Sequence, residues 1–425
     1  MNPFKEKAKK VEDYSMDWKR LYPKAYDKNA IDPYTKTRII LMNGTEFESN
    51  WFSHQFMRHT TDNDLRRDLS AVRAIEKQQQ LKISLLKPAN ESVLEHTISY
   101  EQLAVDLTAE LAKKETNLCV KNLLDFALLE DFDHLYRYAN LLEMKEGTKA
   151  EKLVGCYTEI TPARPTIAHH RCPIDNVKKA IVNKDNDVQT VLNTMIITGA
   201  EQQTMNYYMN VSTFANDDLS RKLYEEIALV EEEHVTGYGS LIDAKGSWFE
   251  MALWHEYLEC YLYWSCYMTE TDNYIKKLWE ENLEIELSHL DSAVKMLKKY
   301  EKKDWCEVIP CGEFPEPISL HENIDYVRDI LKNTVQYTSV KEDYSLLSNL
   351  NDDASFYNHQ KCMNKSVKDV PSHMVINEYI DIFKKDYRYE VEENPIPELR
   401  DRKCDNVEVG RVPNATEEIE FIKNC

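Results

Sequence analysis

A repeated spacing of acidic and histidine residues constrains this chain more than any other feature. Glu201, Glu231 and His234 follow one another at offsets of thirty and thirty-three residues, with a polar turn at 216–218 midway between the two glutamates. If that turn joins two antiparallel helices, both carboxylates lie at one height, because each helix rises about 1.5 Å per residue. His234 lies one turn from Glu231 on the same helix face. The three side chains therefore predict a metal site inside a helical hairpin.

The same offsets recur in two further segments. One segment has Glu256, Glu286 and His289 around a turn at 271–273, and the other has Glu101, Asp131 and His134 around a turn at 116–117. A Glu-x-x-His pair is expected about once by chance in such a composition, but an acidic residue thirty positions upstream with a polar turn midway is about ten times rarer. Three such triples predict three hairpins of common design.

These polar residues fall on the apolar face of each predicted helix. Glu101 follows Ile98 and precedes Val105, and Glu231 follows Ile227. Burying an unpaired carboxylate is costly, so such residues are normally compensated by a metal, a hydrogen-bond network or a proton. A shared metal would compensate all of them, and Tyr100, Met205, Tyr208 and Tyr238 are expected to line its dry pocket.

Composition excludes several classes of function. The net charge of −21 argues against nucleic acid or anionic membrane as a partner. No run of eighteen apolar residues exists, and the first residues are charged, so we expect a soluble, cytoplasmic chain. With only nine glycines and no phosphate-binding glycine motif, nucleotide-binding folds are disfavoured.

Helical periodicity and capping signals divide the chain into three predicted segments. Residues 1–90 read as an N-terminal arm, up to about residue 62, followed by a flanking helix; residues 91–303 read as the bundle, with a crossover at 147–186; residues 304–425 read as a loop-rich extension. The predicted helices are 62–86, 91–115, 118–146, 187–214, 218–241, 247–270 and 273–301. A capping box at Ser319 and Glu322 predicts a helix to Lys332, and another is expected over 372–385.

Residues 91–301 resemble the ferritin-like superfamily of di-iron and di-manganese carboxylate proteins. That family places one Glu on each of two helices and Glu-x-x-His on each of two others, with a long crossover between hairpins. The resemblance implies an all-α fold, an antiparallel bundle of four to six long helices. It also implies two metals bridged by Asp131 and Glu231, with oxygen or peroxide chemistry at open coordination positions.

The sequence leaves two questions about the ligands open. Glu130 could reach the same face as Asp131, although Asp131 is favoured. The site could use the hairpins of His134 and His234, or those of His234 and His289, or all three in one six-helix core.

The ligand types favour particular metals. Carboxylates with imidazoles and without thiolates suit iron or manganese better than copper or structural zinc. We therefore expect a dinuclear metalloprotein, an oxidoreductase acting with O2, peroxide or a small-molecule substrate. The alternative is a non-enzymatic metal-binding or storage protein, or a scaffold with hydrogen-bonded carboxylates. A homo-oligomer is left open.

Overall fold

A computed structural model of the chain confirms the all-α fold class. The structure describes residues 1–384, 386 and 388, except 156, 162, 164–169, 335 and 336. The residues beyond Pro397, part of the predicted loop-rich extension, lie outside this range, as do Pro162 and Pro165 of the crossover.

The described residues form thirteen α-helices and one short hairpin of strands. The α-helices are α1 (Trp18–Leu21), α2 (Pro33–Arg58), α3 (Asn63–Ser84), α4 (Val93–Lys114), α5 (Leu118–Glu146), α6 (Glu151–Val154), α7 (Val188–Ser212), α8 (Asp218–Leu241), α9 (Trp248–Thr269), α10 (Asn273–Glu301), α11 (Ile324–Thr334), α12 (Ser355–Met363) and α13 (Pro371–Phe383). The antiparallel strands are β1 (Tyr337–Val340) and β2 (Asp343–Leu346), with Tyr337 opposite Leu346. Short 3₁₀ helices lie at Pro3–Lys5, Val11–Tyr14, Pro173–Asp175, Asn183–Asp185, Trp305–Glu307, Leu347–Asn349 and Val367–Asp369.

Side-chain caps explain why the long helices begin where the sequence predicts. The Asn117 side chain accepts hydrogen bonds from the backbone N–H groups of Cys119 and Val120, and Asp272 does the same for Tyr274 and Ile275. Such caps satisfy donors that the first helical turn leaves free. The predicted helices 118–146 and 273–301 are therefore confirmed at both ends.

Helix α2 lies within the expected N-terminal arm and was not predicted from the sequence. Asp32 caps this helix and Pro33 occupies its first turn, which are ordinary start signals. The helix carries no apolar stripe, because polar side chains such as Thr37, Glu46 and Asn50 are buried together with its apolar ones. Periodicity therefore could not reveal it.

The C-terminal part is more structured than predicted. Helix α13 confirms the helix expected over 372–385, whereas α11 begins at Ile324 and not directly after Ser319. The β1–β2 hairpin and α12 were not predicted, since each is too short to show a periodic pattern.

The described residues form two compact units, each built from three separated segments. Unit 1 contains Met1–Glu91, Ala180–Gln203 and Ile242–Leu320, and unit 2 contains Ser92–Lys179, Thr204–Leu241 and the chain from His321. The sequence, by comparison, predicts three consecutive segments: 1–90, 91–303 and 304–425.

Unit 1 is organised by two helical hairpins. Helices α2 and α3 form one, α9 and α10 form the other, and α2 packs on α9 while α3 packs on α10. At one end Phe52, Phe56 and Leu69 pack against Ala252 and Met296. This apolar layer leaves the middle of the four helices to polar side chains.

Unit 2 is organised around α5. Helix α4 forms a hairpin with it, and α8, α11 and α13 pack on its other sides. Side chains from Leu123 to Leu142 are therefore almost all buried, including charged residues such as Glu130 and Arg137.

None of the described helices combines the length and the apolar composition that crossing a membrane requires.

Candidate metal centre

In unit 2, three helices bring predicted ligands together. Glu101 of α4, His134 of α5 and Glu231 of α8 are buried, and one potential ligand atom from each lies within 4.8 Å of the others. The Nδ1 atom of His134 is 3.0 Å from Glu231 Oε1. Helices of two predicted hairpins thus share one polar cluster, which is one of the arrangements that the sequence leaves open.

A second histidine approaches the opposite oxygen of the same glutamate. His234 Nδ1 lies 3.1 Å from Glu231 Oε2 and 3.3 Å from Asp131 Oδ1. Burial alone would raise the pKa of the Glu231 carboxyl, but His134 and His234 hold that pKa at about 2. Glu231 is therefore an anion between two imidazoles.

Glu130 and Asp131 occupy different sides of His234. The Nε2 atom of His234 makes a short contact with Glu130, whereas Asp131 is on the Nδ1 side. Glu130 is also paired with Arg171, whose Nη1 atom is 2.6 Å from Glu130 Oε1 and 3.0 Å from Glu233 Oε2. Glu130 therefore orients an imidazole, and Asp131 stands at the carboxylate cluster.

Arg171 belongs to a cationic stretch of the crossover that runs from Arg164 to Arg171. His170, its neighbour, places Nε2 3.2 Å from Glu226 Oε1. Both cations are buried against carboxylates of unit 2. Arg164, Pro165 and His169 of the same stretch lie outside the described residues.

Tyrosines surround the Glu101 side of the cluster. The Tyr208 hydroxyl donates a short hydrogen bond to Glu101. The ring centroid of Tyr208 lies 5.2 Å from that of Tyr138 and 5.7 Å from that of Tyr224. Burial, reinforced by the Glu101 charge, raises the pKa of Tyr208 well above its ordinary value, so the hydroxyl keeps its proton.

Glu201 is buried on α7, in the part of that helix that belongs to unit 1. Its role as a ligand stays a prediction.

In unit 1, the third predicted triple is completed by a helix that the sequence does not assign to any site. Glu256 of α9 and Glu286 and His289 of α10 cluster with Glu76 of α3, with one potential ligand atom of each within 4.8 Å of the others. His289 Nδ1 is 2.8 Å from Glu76 Oε1, 3.2 Å from Glu286 Oε2 and 4.0 Å from Glu256 Oε2.

Two further carboxylates extend this cluster. Glu46 of α2 and Glu259 of α9 form a second buried group with Glu76, again within 4.8 Å. Burial raises the pKa of Glu46, Glu256 and Glu259 well above the ordinary carboxyl value, and the neighbouring Glu76 charge adds to the rise. The side chain of Gln79 donates a 2.6 Å hydrogen bond to Glu286 Oε1.

The signal that would have identified α2 and α3 is the repeated spacing itself. Glu46, Glu76 and Gln79 stand at the same offsets of thirty and thirty-three residues as the three recognised triples. The third position is Gln and not His, so a search for Glu-x-x-His passes over it. Glu259 belongs to no triple, and no sequence signal distinguishes it from the other acidic residues of α9.

The four triples are related by a longer repeat of 155 residues. Glu46, Glu76, Gln79, Glu101, Asp131 and His134 are each followed 155 positions later by Glu201, Glu231, His234, Glu256, Glu286 and His289. The capping boxes of Ser92 and Ser247, and the caps Asn117 and Asp272, obey the same offset. Helices α2 to α5 therefore correspond to α7 to α10.

The donor atoms in both units fit divalent metal ions. All three histidines direct Nδ1 at carboxylates, and the Nε2 atoms of His134 and His289 have no hydrogen-bond partner among the described residues. Both oxygens of Glu259, which is 1% exposed, also lack one. These buried carboxylate and imidazole groups could therefore hold metal ions.

Comparison with protein-family models, with curated proteins and with solved structures returned no match.

Proposed function

We propose that unit 2 binds a dinuclear iron or manganese centre and that the chain is a ferritin-like metalloprotein, an oxidoreductase acting with O2 or peroxide. The observation that carries this proposal is the position of Glu231, with one oxygen near His134 Nδ1 and the other near His234 Nδ1. A carboxylate placed between two imidazoles is suited to bridge two ions.

The surrounding residues divide into two ligand sets. Glu101 and His134 would hold one ion, and Asp131 and His234 would hold the other, with Glu231 shared. Glu130 would fix the ring of His234 by accepting a hydrogen bond from Nε2–H, so that Nδ1 would carry the lone pair that binds metal.

Bound iron or manganese would supply the electrons that reduce O2 or peroxide. The chain's own part is to exclude water and to position protons. Tyr208, whose hydroxyl donates to Glu101, can hold a proton at the edge of the cluster. The substrate class stays open beyond a small molecule, O2 or peroxide, and a cytoplasmic location stays a prediction.

A second candidate is a helical scaffold or a metal-storage protein without catalysis. The short bond from Tyr208 to Glu101 and the pairing of Glu130 with Arg171 favour a scaffold, because they compensate buried carboxylates without metal. A storage protein would bind the metal but would not catalyse a reaction.

Metal analysis of three variants tests the proposal. His134→Ala and His234→Ala should each lose about one or more equivalents of iron or manganese relative to the unaltered chain, because each removes a ligand beside a shared carboxylate. His59→Ala, which changes an exposed histidine, is the matched control and should lose none. Unchanged metal content in folded His134→Ala and His234→Ala proteins would contradict the proposal and favour the scaffold.

A further inference from the structure

We infer that unit 1 contains a second metal centre, richer in oxygen ligands than that of unit 2, and that it takes a divalent cation such as Mn²⁺. Its ligands would come from Glu46, Glu76, Glu256, Glu259, Glu286 and His289. The inference does not depend on metal binding in unit 2.

The first argument is the balance of charge. Five carboxylates, each no more than 8% exposed, and a single histidine form two groups that share Glu76. Within the part of the chain that the structure describes, no Lys or Arg pairs with any of them. Ionised carboxylates crowded in a core repel one another and lose their hydration, so added positive charge would stabilise the cluster. Two divalent ions would supply it.

The second argument is the number of buried donor atoms that have no partner. Both oxygens of Glu259, the Oε2 atom of Glu46 and the Oε2 atom of Glu256 make no hydrogen bond among the described residues. One carboxylate oxygen from each of Glu46, Glu76 and Glu259 lies within 4.8 Å of the others. Buried polar atoms are nearly always satisfied, and a cation would satisfy these together.

The third argument is the correspondence between the two clusters. In the 155-residue repeat, Glu76 corresponds to Glu231 and His289 to His134, which places the same residue types at equivalent positions. Gln79 stands where unit 2 has His234, and Glu259 stands where unit 2 has Ala104.

Compared with unit 2, unit 1 thus has the amide of Gln79 in place of an imidazole and has the additional carboxylate of Glu259. Nitrogen ligands favour metals such as zinc and cobalt, whereas carboxylate oxygens suit manganese and magnesium. The unit 1 centre should therefore prefer Mn²⁺ over zinc and cobalt ions more strongly than the unit 2 centre does.

Removal of two carboxylates is the first test. The double variant Glu76→Gln, Glu259→Gln keeps the side-chain shapes. After its bound metal has been removed, it should take up about two equivalents of Mn²⁺ fewer than the unaltered chain. EPR measures the bound Mn²⁺. Glu284→Gln, an exposed change on α10, is the matched control and should not alter uptake. Equal uptake by the folded double variant and the control would overturn the inference.

A reciprocal exchange tests the role of Gln79. Gln79→His should raise the Co²⁺ affinity of unit 1 by about tenfold or more and add an imidazole to its ligand field, because it restores the second nitrogen ligand. His234→Gln should lower the affinity of unit 2 in the same assay. No change in Co²⁺ affinity or absorption spectrum on Gln79→His would contradict the assignment of α3 to a metal centre.

Anomalous X-ray diffraction from crystals of the unaltered chain grown with Mn²⁺ provides a measurement that needs no variant. Peaks among Glu46, Glu76, Glu259 and His289 are expected. Peaks at His134 and His234 alone would overturn this inference while leaving the proposed function intact. Peaks in unit 1 alone would support this inference and contradict the proposed function.

Discussion

At the residue scale, the three clustered histidines use the same ring nitrogen. His134, His234 and His289 all direct Nδ1 at carboxylates, so the proton of a neutral ring would sit on Nε2 when a metal is bound. Among the described residues, only His234 has an identified acceptor for that proton, Glu130, which is also paired with Arg171. Acceptors of this kind set the tautomer and orientation of a ligand.

Asp131 and Glu130 should therefore differ when each is neutralised. Asp131→Asn should remove a ligand and strip metal from unit 2, whereas Glu130→Gln should keep the metal but weaken its affinity by about 10- to 100-fold. Competition with a chelator of known affinity measures both. If Glu130→Gln loses the metal and Asp131→Asn retains it, the two residues have been assigned the wrong way round.

His373 of α13 makes a separate prediction about pH. It is 1% exposed, and burial lowers its pKa to about 4, helped by Arg137 and His170 and opposed by Glu226. The unfolded chain, with an ordinary histidine pKa of about 6.5, binds this proton more readily, so His373 reduces the free energy of unfolding as pH falls from 6.5 to 4. Above pH 6.5 both states are neutral and the effect is absent.

The His373→Leu substitution removes this dependence of the free energy of unfolding on pH. Relative to the unaltered chain, the free energy of unfolding of the variant should rise by up to about 3 kcal/mol as pH falls from 6.5 to 4. Urea denaturation at several pH values measures the difference. A stability difference that does not vary over this range would mean that His373 does not stay neutral in the fold.

At the element scale, capping chemistry decided how well the sequence predicted the helices. Polar turns such as those at Asn117 and Asp272 fix both the end of one helix and the start of the next, so predicted boundaries around them agree closely with the structure. Helix α2 was missed because its buried face mixes Thr37, Glu46 and Asn50 with apolar residues.

Part of the candidate site could not be predicted from the sequence for a related reason. The spacing predicted all the residues that α9 and α10 contribute except Glu259, because ligand pairs at i and i+3 leave a readable pattern. Glu76 was not predicted because its partner is Gln79, and a glutamine is not recognised as a ligand. The pairing of α3 with α10 depends on tertiary packing, which periodicity does not report.

The cap of α10 can be tested by itself. Asp272→Ala should lower the free energy of unfolding by about 1 kcal/mol, because two backbone N–H groups lose their acceptor. Asp272→Asn keeps an acceptor and is the matched control. Metal content should be the same in both variants. A stability loss that is equal in Asp272→Ala and Asp272→Asn would show that the charge matters and that the cap does not.

At the scale of the whole molecule, each unit combines helices from both halves of the 155-residue repeat. Unit 1 contains α2 and α3 with α9 and α10, and unit 2 contains α4 and α5 with α8. Of the arrangements left open by the sequence, the hairpins of His134 and Glu231 do share a cluster, whereas His289 joins Glu76. Repetition thus yields two related clusters with different ligands.

Removal of metal should affect the stability of the chain as a whole. Chelation at pH 7 should lower the melting temperature by about 5 °C or more. The crowded carboxylates lose the positive charge of the metal, and the folded state loses the stabilisation that metal binding gives it. On acidification the gap between metal-bound and metal-free protein should narrow, since binding weakens while the carboxylates neutralise. An unchanged melting temperature at pH 7 would mean that something other than metal compensates the carboxylates.

The most direct test of the central claim is elemental analysis of the unaltered chain, expressed in medium containing iron and manganese and purified without chelators. The account predicts about two equivalents of iron or manganese from unit 2, and about two more if unit 1 is also filled. Less than about a tenth of an equivalent, with no uptake when either metal is added back to the folded chain, would contradict it.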